Sequence, residues 1–323
     1  MKDAKKKEIS KIAYLYYIEG LSQAQIAKET GLYRTTVSRM LTQAREMGIV
    51  QIEIENFDPA LLKLEQVFKK QYGLKQVEIA PTVMGGSDDD CETRVANLAA
   101  QFLRKNIHDG QTIGLAWGSS IGRAVESLEP KYTNDTVFVP VVGGPSRINS
   151  QYHINTLVYE LAKKFHGRSV FVNAAVVQET KELADGIFYS RYFAELRELW
   201  KKLDMVIVGV GGNLSYKKTQ WRDLVTEEDY EDLKLRDAVG DCCCRFIDKD
   251  GKILKGLLYQ RTIGLPLEDL RNIKQTVAIA QGKAKVRAIR ALIKKGYINT
   301  LISDQATLLA VLKLDKVSFD LSQ

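Results

Sequence analysis

The chain has 323 residues, 45% hydrophobic and 27% charged, with 47 Lys and Arg against 40 Asp and Glu and a net charge of +7. That length exceeds one average domain, and that composition suits a soluble globular protein with a sizeable core. No apolar run reaches the roughly 18–20 residues of a membrane span, and the basic start "MKDAKKKEIS" lacks the apolar stretch of a signal peptide, so the expectation is a cytoplasmic chain with no membrane partner.

The charge is uneven. Residues 1–50 hold nine bases against five acids, more than half of the net charge. That excess reads either as a polyanion-binding module or as a solvated basic tail. Ile9, Ile12, Ala13, Tyr16 and Tyr17 follow helical spacing, and Gly20 ends that helix. Ser22 to Gln25 fits a capping box at the start of a second short helix, with Ile26 and Ala27 inward. Gly31 makes a tight turn, and a third helix from about Arg34 to Met47 buries Val37, Met40, Leu41 and Ala44 before Gly48.

Two short helices across a glycine turn form a helix-turn-helix, and "QAQIAKETGLYRTTVSRML" resembles that of bacterial regulators. Its second helix enters the major groove by its first residues. The outward residues there are Tyr33, Arg34, Thr35, Thr36, Ser38 and Arg39, with Gln23 and Gln25 placed to reach phosphates. After Gly48 the alternating "IVQIEIE" reads as a strand, a small wing beside the helices. Asn56 to Pro59 breaks the pattern and sets the domain boundary: residues 1–56 for DNA binding and 57–323 for a larger domain.

A helix with Leu61, Leu64, Val67, Phe68 and Tyr72 inward follows, suited to a connector or subunit contact. Apolar runs then recur at 76–80, 112–116, 136–142, 169–172, 204–209, 276–280 and 300–302. Helical patterns lie between most of them, at 92–106, 121–128, 152–165, 190–202, 283–294 and 304–313. Such alternation predicts an α/β, Rossmann-like domain with a mainly parallel sheet. Asp248 to Gly251 reads as the turn of a hairpin insert between two short strands.

Gly-rich loops follow several strands: Gly118-Ser119-Ser120, Gly143-Gly144 and Gly209 to Gly212. In parallel sheets, ligands bind beyond the carboxyl ends of the strands. The Gly118 loop offers two hydroxyls and a helix N-terminus, which suits a phosphate but also describes an ordinary strand-to-helix turn. Neither the nucleotide P-loop nor the dinucleotide fingerprint is present, which disfavours ATP and NAD. The cysteines, Cys91 and the consecutive Cys242, Cys243 and Cys244, lack C-x-x-C spacing, and His108, His153 and His166 lie in no metal motif. The expectation is reduced structural thiols, no metal and no cofactor.

The ordered series of a helix-turn-helix, "TIGLAWGSSI", "VVGGPS", "VIVGVGG", "AVGDCCCRFIDKDGK", "TIGLPLEDL" and "INTLISDQAT" spans nearly the whole chain and resembles the SorC family of sugar-responsive bacterial transcription regulators. The resemblance implies a winged-type helix-turn-helix, an effector domain similar to sugar-phosphate isomerases and CoA transferases, a phosphorylated sugar or polyol as effector, operator DNA as partner and a homotetramer. By position it implies that Gly118, Ser119 and Ser120 hold a phosphate and that Gly143 and Gly144 line the sugar. It implies also that Asp241 accepts hydroxyl hydrogen bonds, that Lys285 faces the ligand and that Arg222 is a further phosphate partner. Asp304 reads as the N-cap of the last helix.

Three positions depart from the family pattern. Tyr33 stands where the recognition helix often has Ser. Val142 stands where one branch has a lysine able to form an imine, which argues against covalent capture. Gln281 stands where glycine is common. An isomerase- or deaminase-like enzyme is the alternative, but acid/base chemistry needs a positioned pair, and no histidine lies in the ligand loops. A constitutive DNA-binding scaffold is a third reading.

Overall fold

The structure, a computed structural model, describes residues 2–52, 58–83, 85–145, 150–212 and 225–319. It divides into two compact units, Met1–Asp58 and Pro59–Gln323.

In the first unit, α1 (Lys2–Tyr17), α2 (Gln23–Thr30) and α3 (Arg34–Glu46) enclose Ile9, Ile12, Ala13, Ile26, Val37, Met40, Leu41 and Ala44. Local chemistry sets each boundary. Ser22 and Gln25 form the full capping box that starts α2, with Ser22 N donating to Gln25 Oε1 at 2.9 Å. Gly31 ends α2 at φ 68°, a left-handed conformation that is cheap only for glycine. Helix α3 starts differently: its N-cap is Tyr33, which is 83% exposed and makes no side-chain cap. The predicted wing strand does not appear in the described part of its span. Residues 49–52 carry no strand, because the chain leaves α3 through Ile49 N and Val50 N bonded back to Ala44 O; residues 53–55 lie outside the described residues.

In the second unit, α4 (Pro59–Tyr72) and β1 (Gln76–Ala80) lead into α5 (Asp88–Asn106), β2 (Thr112–Leu115), α6 (Ser119–Glu126) and β3 (Val137–Pro140). Next come α7 (Ile154–Phe165), β4 (Arg168–Ser169), α8 (Lys181–Phe188), α9 (Ala194–Trp200) and β5 (Met205–Gly209). After α10 (Glu227–Leu235), β6 (Gly240–Cys242), β7 (Arg245–Ile247) and α11 (Leu257–Arg261), the chain ends in β8 (Gln275–Ile279), α12 (Val286–Lys294), β9 (Thr300–Asp304) and α13 (Gln305–Leu314). Six of the seven apolar runs form strands of one parallel sheet, ordered β1-β9-β8-β5-β2-β3-β4; the seventh strand, β4, is only Arg168–Ser169 and shares a single residue with the run predicted at 169–172. The strands are apolar on both faces because helices cover both. From β2 the chain steps to β3 and β4 in one direction; from β5 it steps to β8 and β9 in the other. Right-handed crossovers therefore place α6 and α12 on opposite faces, and the reversal between neighbouring β2 and β5 is the switch point where such sheets bind ligands.

The hairpin insert is shifted from its expected place. β6 and β7 pair antiparallel, joined at Cys243 and Cys244, whose φ values of 51° and 59° make the two-residue turn. Asp248 to Gly251 does turn the chain, but it closes only an isolated bridge between Ile247 and Ile253. Cys242 is hydrogen-bonded with Cys243 and fully buried, and both effects hold its thiol well above the usual range; all four cysteines are free. Buried Arg245 on β7 donates to the carbonyls of Tyr259 (2.6 Å), Thr262 (3.0 Å) and Gly264 (3.2 Å) while stacking on Tyr259. It thereby fixes the segment whose Ile263 O receives Gly143 N.

Supplying the missing cap of α3 should stabilise the first unit. Tyr33→Ser should add about 0.5–2 kcal/mol, read as a higher denaturation midpoint. A lower midpoint would mean that the tyrosine ring contributes more than a cap would.

Candidate functional site

At the switch point, β2 runs through Ala116 and Trp117 into Gly118, the N-cap of α6. Gly118 has φ 139°, a backbone that side chains rarely adopt, and a Cβ there would meet open space. Conformation rather than room therefore demands glycine. No side chain caps α6, so the first backbone N–H groups of the helix face outward with its positive dipole end. Ser119 is exposed and Ser120 buried. The loop after β5 lies alongside, since a Cβ on Gly209 would stand 3.6 Å from Trp117 O.

Other loops close around this point. Gly211 bridges to Asp241 on β6, with Gly211 N donating to Asp241 O at 2.8 Å. The buried Asp241 carboxylate lies directly against Gly211. Gly212 faces the backbone of Ala284, which brings the loop after β8 to the same place. That loop carries Lys285. Burial pushes the Lys285 ammonium below the usual lysine range, while the carboxylates of Glu92 and Asp241 oppose the shift. Glu92, in the second turn of α5, also stands 3.3 Å from Arg123 Nε on α6, and Arg123 Nη2 donates to Asp89 at 2.7 Å. Arg123 pairs with Glu92, and the carboxylates of Glu92 and Asp241 both act on Lys285, so the four charges alternate in sign.

The predicted residues separate into groups. The loops that carry Gly118, Ser119, Ser120, Asp241 and Lys285 come together. Gly143 and Gly144 are buried with all four backbone polar groups engaged: Gly143 N to Ile263 O, Gly143 O from Trp117 Nε1, Gly144 N to Ala174 O and Gly144 O from Val176 N. They permit close approach of the neighbouring backbone and of His153 and have no main-chain donor left for a ligand. Arg222 lies outside the described residues. Val142 is buried, as an apolar residue in that place would be. Asp304 is the N-cap of α13, accepting from Thr307 N at 3.0 Å.

Sequence reasoning missed three neighbours. Glu92 and Arg123 lie on α5 and α6, and no local sequence pattern marks them. His153, the N-cap of α7, stands against Gly144, where a Cβ would lie 2.5 Å from its Nε2. Burial lowers its pKa, which favours a neutral imidazole, and no carboxylate is paired with it among the described residues. The contact is across space, so no local pattern signals it.

In the first unit, Tyr33, Arg34, Thr35, Ser38 and Arg39 are exposed at the start of α3, with Thr36 half-buried. Neither arginine has a carboxylate partner among the described residues. Gln25 spends its Oε1 on the capping box, leaving only its N–H groups to donate outward, and Gln23 is half-buried.

Comparison with known proteins agrees with these two units. The family described as "Putative sugar-binding domain" matches residues 59–313, and the sigma-70 region 4 family matches residues 9–47. The sorbitol operon regulator of Klebsiella pneumoniae is 32% identical over 307 residues, covering 94% of this chain and 97% of the relative. The chain belongs to the SorC family of sugar-responsive transcriptional regulators. Among solved structures, the full-length SorC regulator of K. pneumoniae superposes with a TM-score of 0.75 at 31% identity, covering 95% of this chain and 98% of that one. A transcriptional regulator from Streptococcus pneumoniae TIGR4 gives a TM-score of 0.78 at 42% identity, covering 81% of this chain and 100% of that one. The protein is a DNA-binding transcriptional regulator of a sugar- or polyol-utilisation operon, and its homology is to regulators rather than to catalytic families. No helix among the described residues is long and apolar enough to cross a membrane.

Within this SorC-family chain, Gly211 is where space is tightest, since a Cβ would lie 1.9 Å from Asp241 Oδ1. Gly211→Ala should displace that carboxylate and cost about 1–3 kcal/mol, seen as a lower thermal midpoint. An unchanged midpoint would show that Asp241 swings away freely.

Proposed function

We propose that residues 57–323 bind a phosphorylated sugar or polyol at the switch point and that this binding controls how residues 1–56 engage operator DNA. The observation that carries the reading is the uncapped, glycine-started α6, with Ser119 and Ser120 in its first turn, at the carboxyl end of β2. Outward N–H groups and hydroxyls at a helix start are suited to a tetrahedral oxyanion. Asp241 and Lys285 supply an acceptor and a donor for the hydroxyls of the attached sugar or polyol. Arg222 would be a further phosphate partner, by resemblance alone. The family resemblance supports a homotetramer.

For the DNA half, the start of α3 is positive, exposed and without a local anion, and Arg34 and Arg39 are placed to grip base edges or phosphates. Tyr33, Thr35, Thr36 and Ser38 would share that contact, with Gln23 and Gln25 on flanking phosphates. Effector control requires that the ligand bind two states of the protein with different affinity.

Two measurements test the halves separately. Ser119→Ala with Ser120→Ala should abolish the effector response in an operator-binding assay while leaving basal operator binding intact. A response at the normal effector concentration would place the phosphate elsewhere. Arg34→Ala with Arg39→Ala should weaken operator binding at least about tenfold and flatten its salt dependence, with phosphate binding unchanged. Undiminished affinity would remove α3 from the DNA interface.

A further inference from the structure

The loop after β8 holds a side chain that neither the alternating charges nor the strand ends explain. Gln281 is 8% exposed, yet it is a long polar residue with two N–H donors and one acceptor. Its Oε1 lies 3.5 Å from Ser120 Oγ, at the outer limit of a hydrogen bond. Among the described residues, its Nε2 has no hydrogen-bond partner. That nitrogen is not sealed from solvent, so a ligand can reach it.

The loop is built to hold this side chain still. Gly282 follows at φ 98°. Its N–H donates to Thr307 Oγ1 at 2.8 Å, and Thr307 is in turn held by Asp304 at the head of α13. Gln281 therefore sits on a braced turn, with its amide end at the open N-terminus of α6. The amide nitrogen shares a carbon with the oxygen that faces Ser120, within reach of any anion seated on the first turn.

We propose that Gln281 is an effector contact: its amide N–H donates to the phosphate held by Gly118, Ser119 and Ser120. The inference rests on the proposed effector reading and deepens it, because it adds a neutral donor that a glycine at this position lacks. Gln281 also closes the rear of the seat. The anion then lies between the backbone of α6 and a side chain from the loop after β8, on either side of β5.

Calorimetry on the full chain tests this with inorganic phosphate and a hexitol monophosphate as probes. In Q281L, similar in size but with no donor, both probes should bind about tenfold more weakly. Q281E should lose at least a hundredfold, since its carboxylate both repels the probe and occupies the helix terminus itself. For the same reason, ligand-free Q281E should melt no lower than the wild type. A merely structural glutamine would instead lower the melting point in both variants and impair operator binding in both. Probe binding by Q281L and Q281E within twofold of wild type would overturn the assignment. Failure of the wild-type chain to bind either probe would overturn the effector reading beneath it.

Discussion

A helix that begins without a cap governs the larger unit. Gly118 can hold φ 139° because it has no side chain, and α6 consequently starts with donors that no protein side chain satisfies. On the proposed reading, the loops that surround this start supply what an oxyanion attached to a hydroxylated carbon skeleton needs. The seat has donors from the backbone and from two serines, a buried amide across from them, and a carboxylate and an ammonium further out. The sheet places them there because the switch point between β2 and β5 leaves a crevice at the strand ends.

The same device recurs in the smaller unit. Helices α2, α5 and α10 carry full capping boxes; α3 and α6, like α9, α11 and α12, have no side-chain cap, and what sets α3 and α6 apart is an exposed tyrosine or a positive-φ glycine at the N-cap. At α3 the cap position is an exposed tyrosine followed at once by an arginine, so a positive side chain sits on the positive end of a helix. Local stability is forgone at both starts. Departures from local consistency of this kind are expected where a ligand completes the structure. On the reading proposed above, the completing anion is DNA at α3 and a phosphate at α6.

Much of this was legible in the sequence. All strands of the parallel sheet but the two-residue β4 are short apolar runs, and Ser22-Gln25, Gly31 and Asp304 act as their local chemistry predicts. Other elements were hidden. Helix α10 has few apolar residues, and its true signal, the Thr226-Asp229 capping box with an acidic first turn, is local but faint. The hairpin turn at Cys243 and Cys244 was obscured because neither residue advertises a left-handed backbone, while Asp248 to Gly251 does. The site itself was half visible. The Gly118 loop has a recognisable pattern, but the approach of Gln281 to Ser120, of Glu92 to Lys285 and of His153 to Gly144 joins residues far apart in the chain. Only the folded sheet brings them together.

The most direct test of the anion seat is a crystal structure of the full chain with a bound sugar or polyol monophosphate. Phosphate oxygens within hydrogen-bonding distance of the Ser119 and Ser120 backbone nitrogens, with the ligand hydroxyls turned towards Asp241 and Lys285, are the expected result. A phosphate bound away from the first turn of α6, with those nitrogens facing solvent, would contradict it.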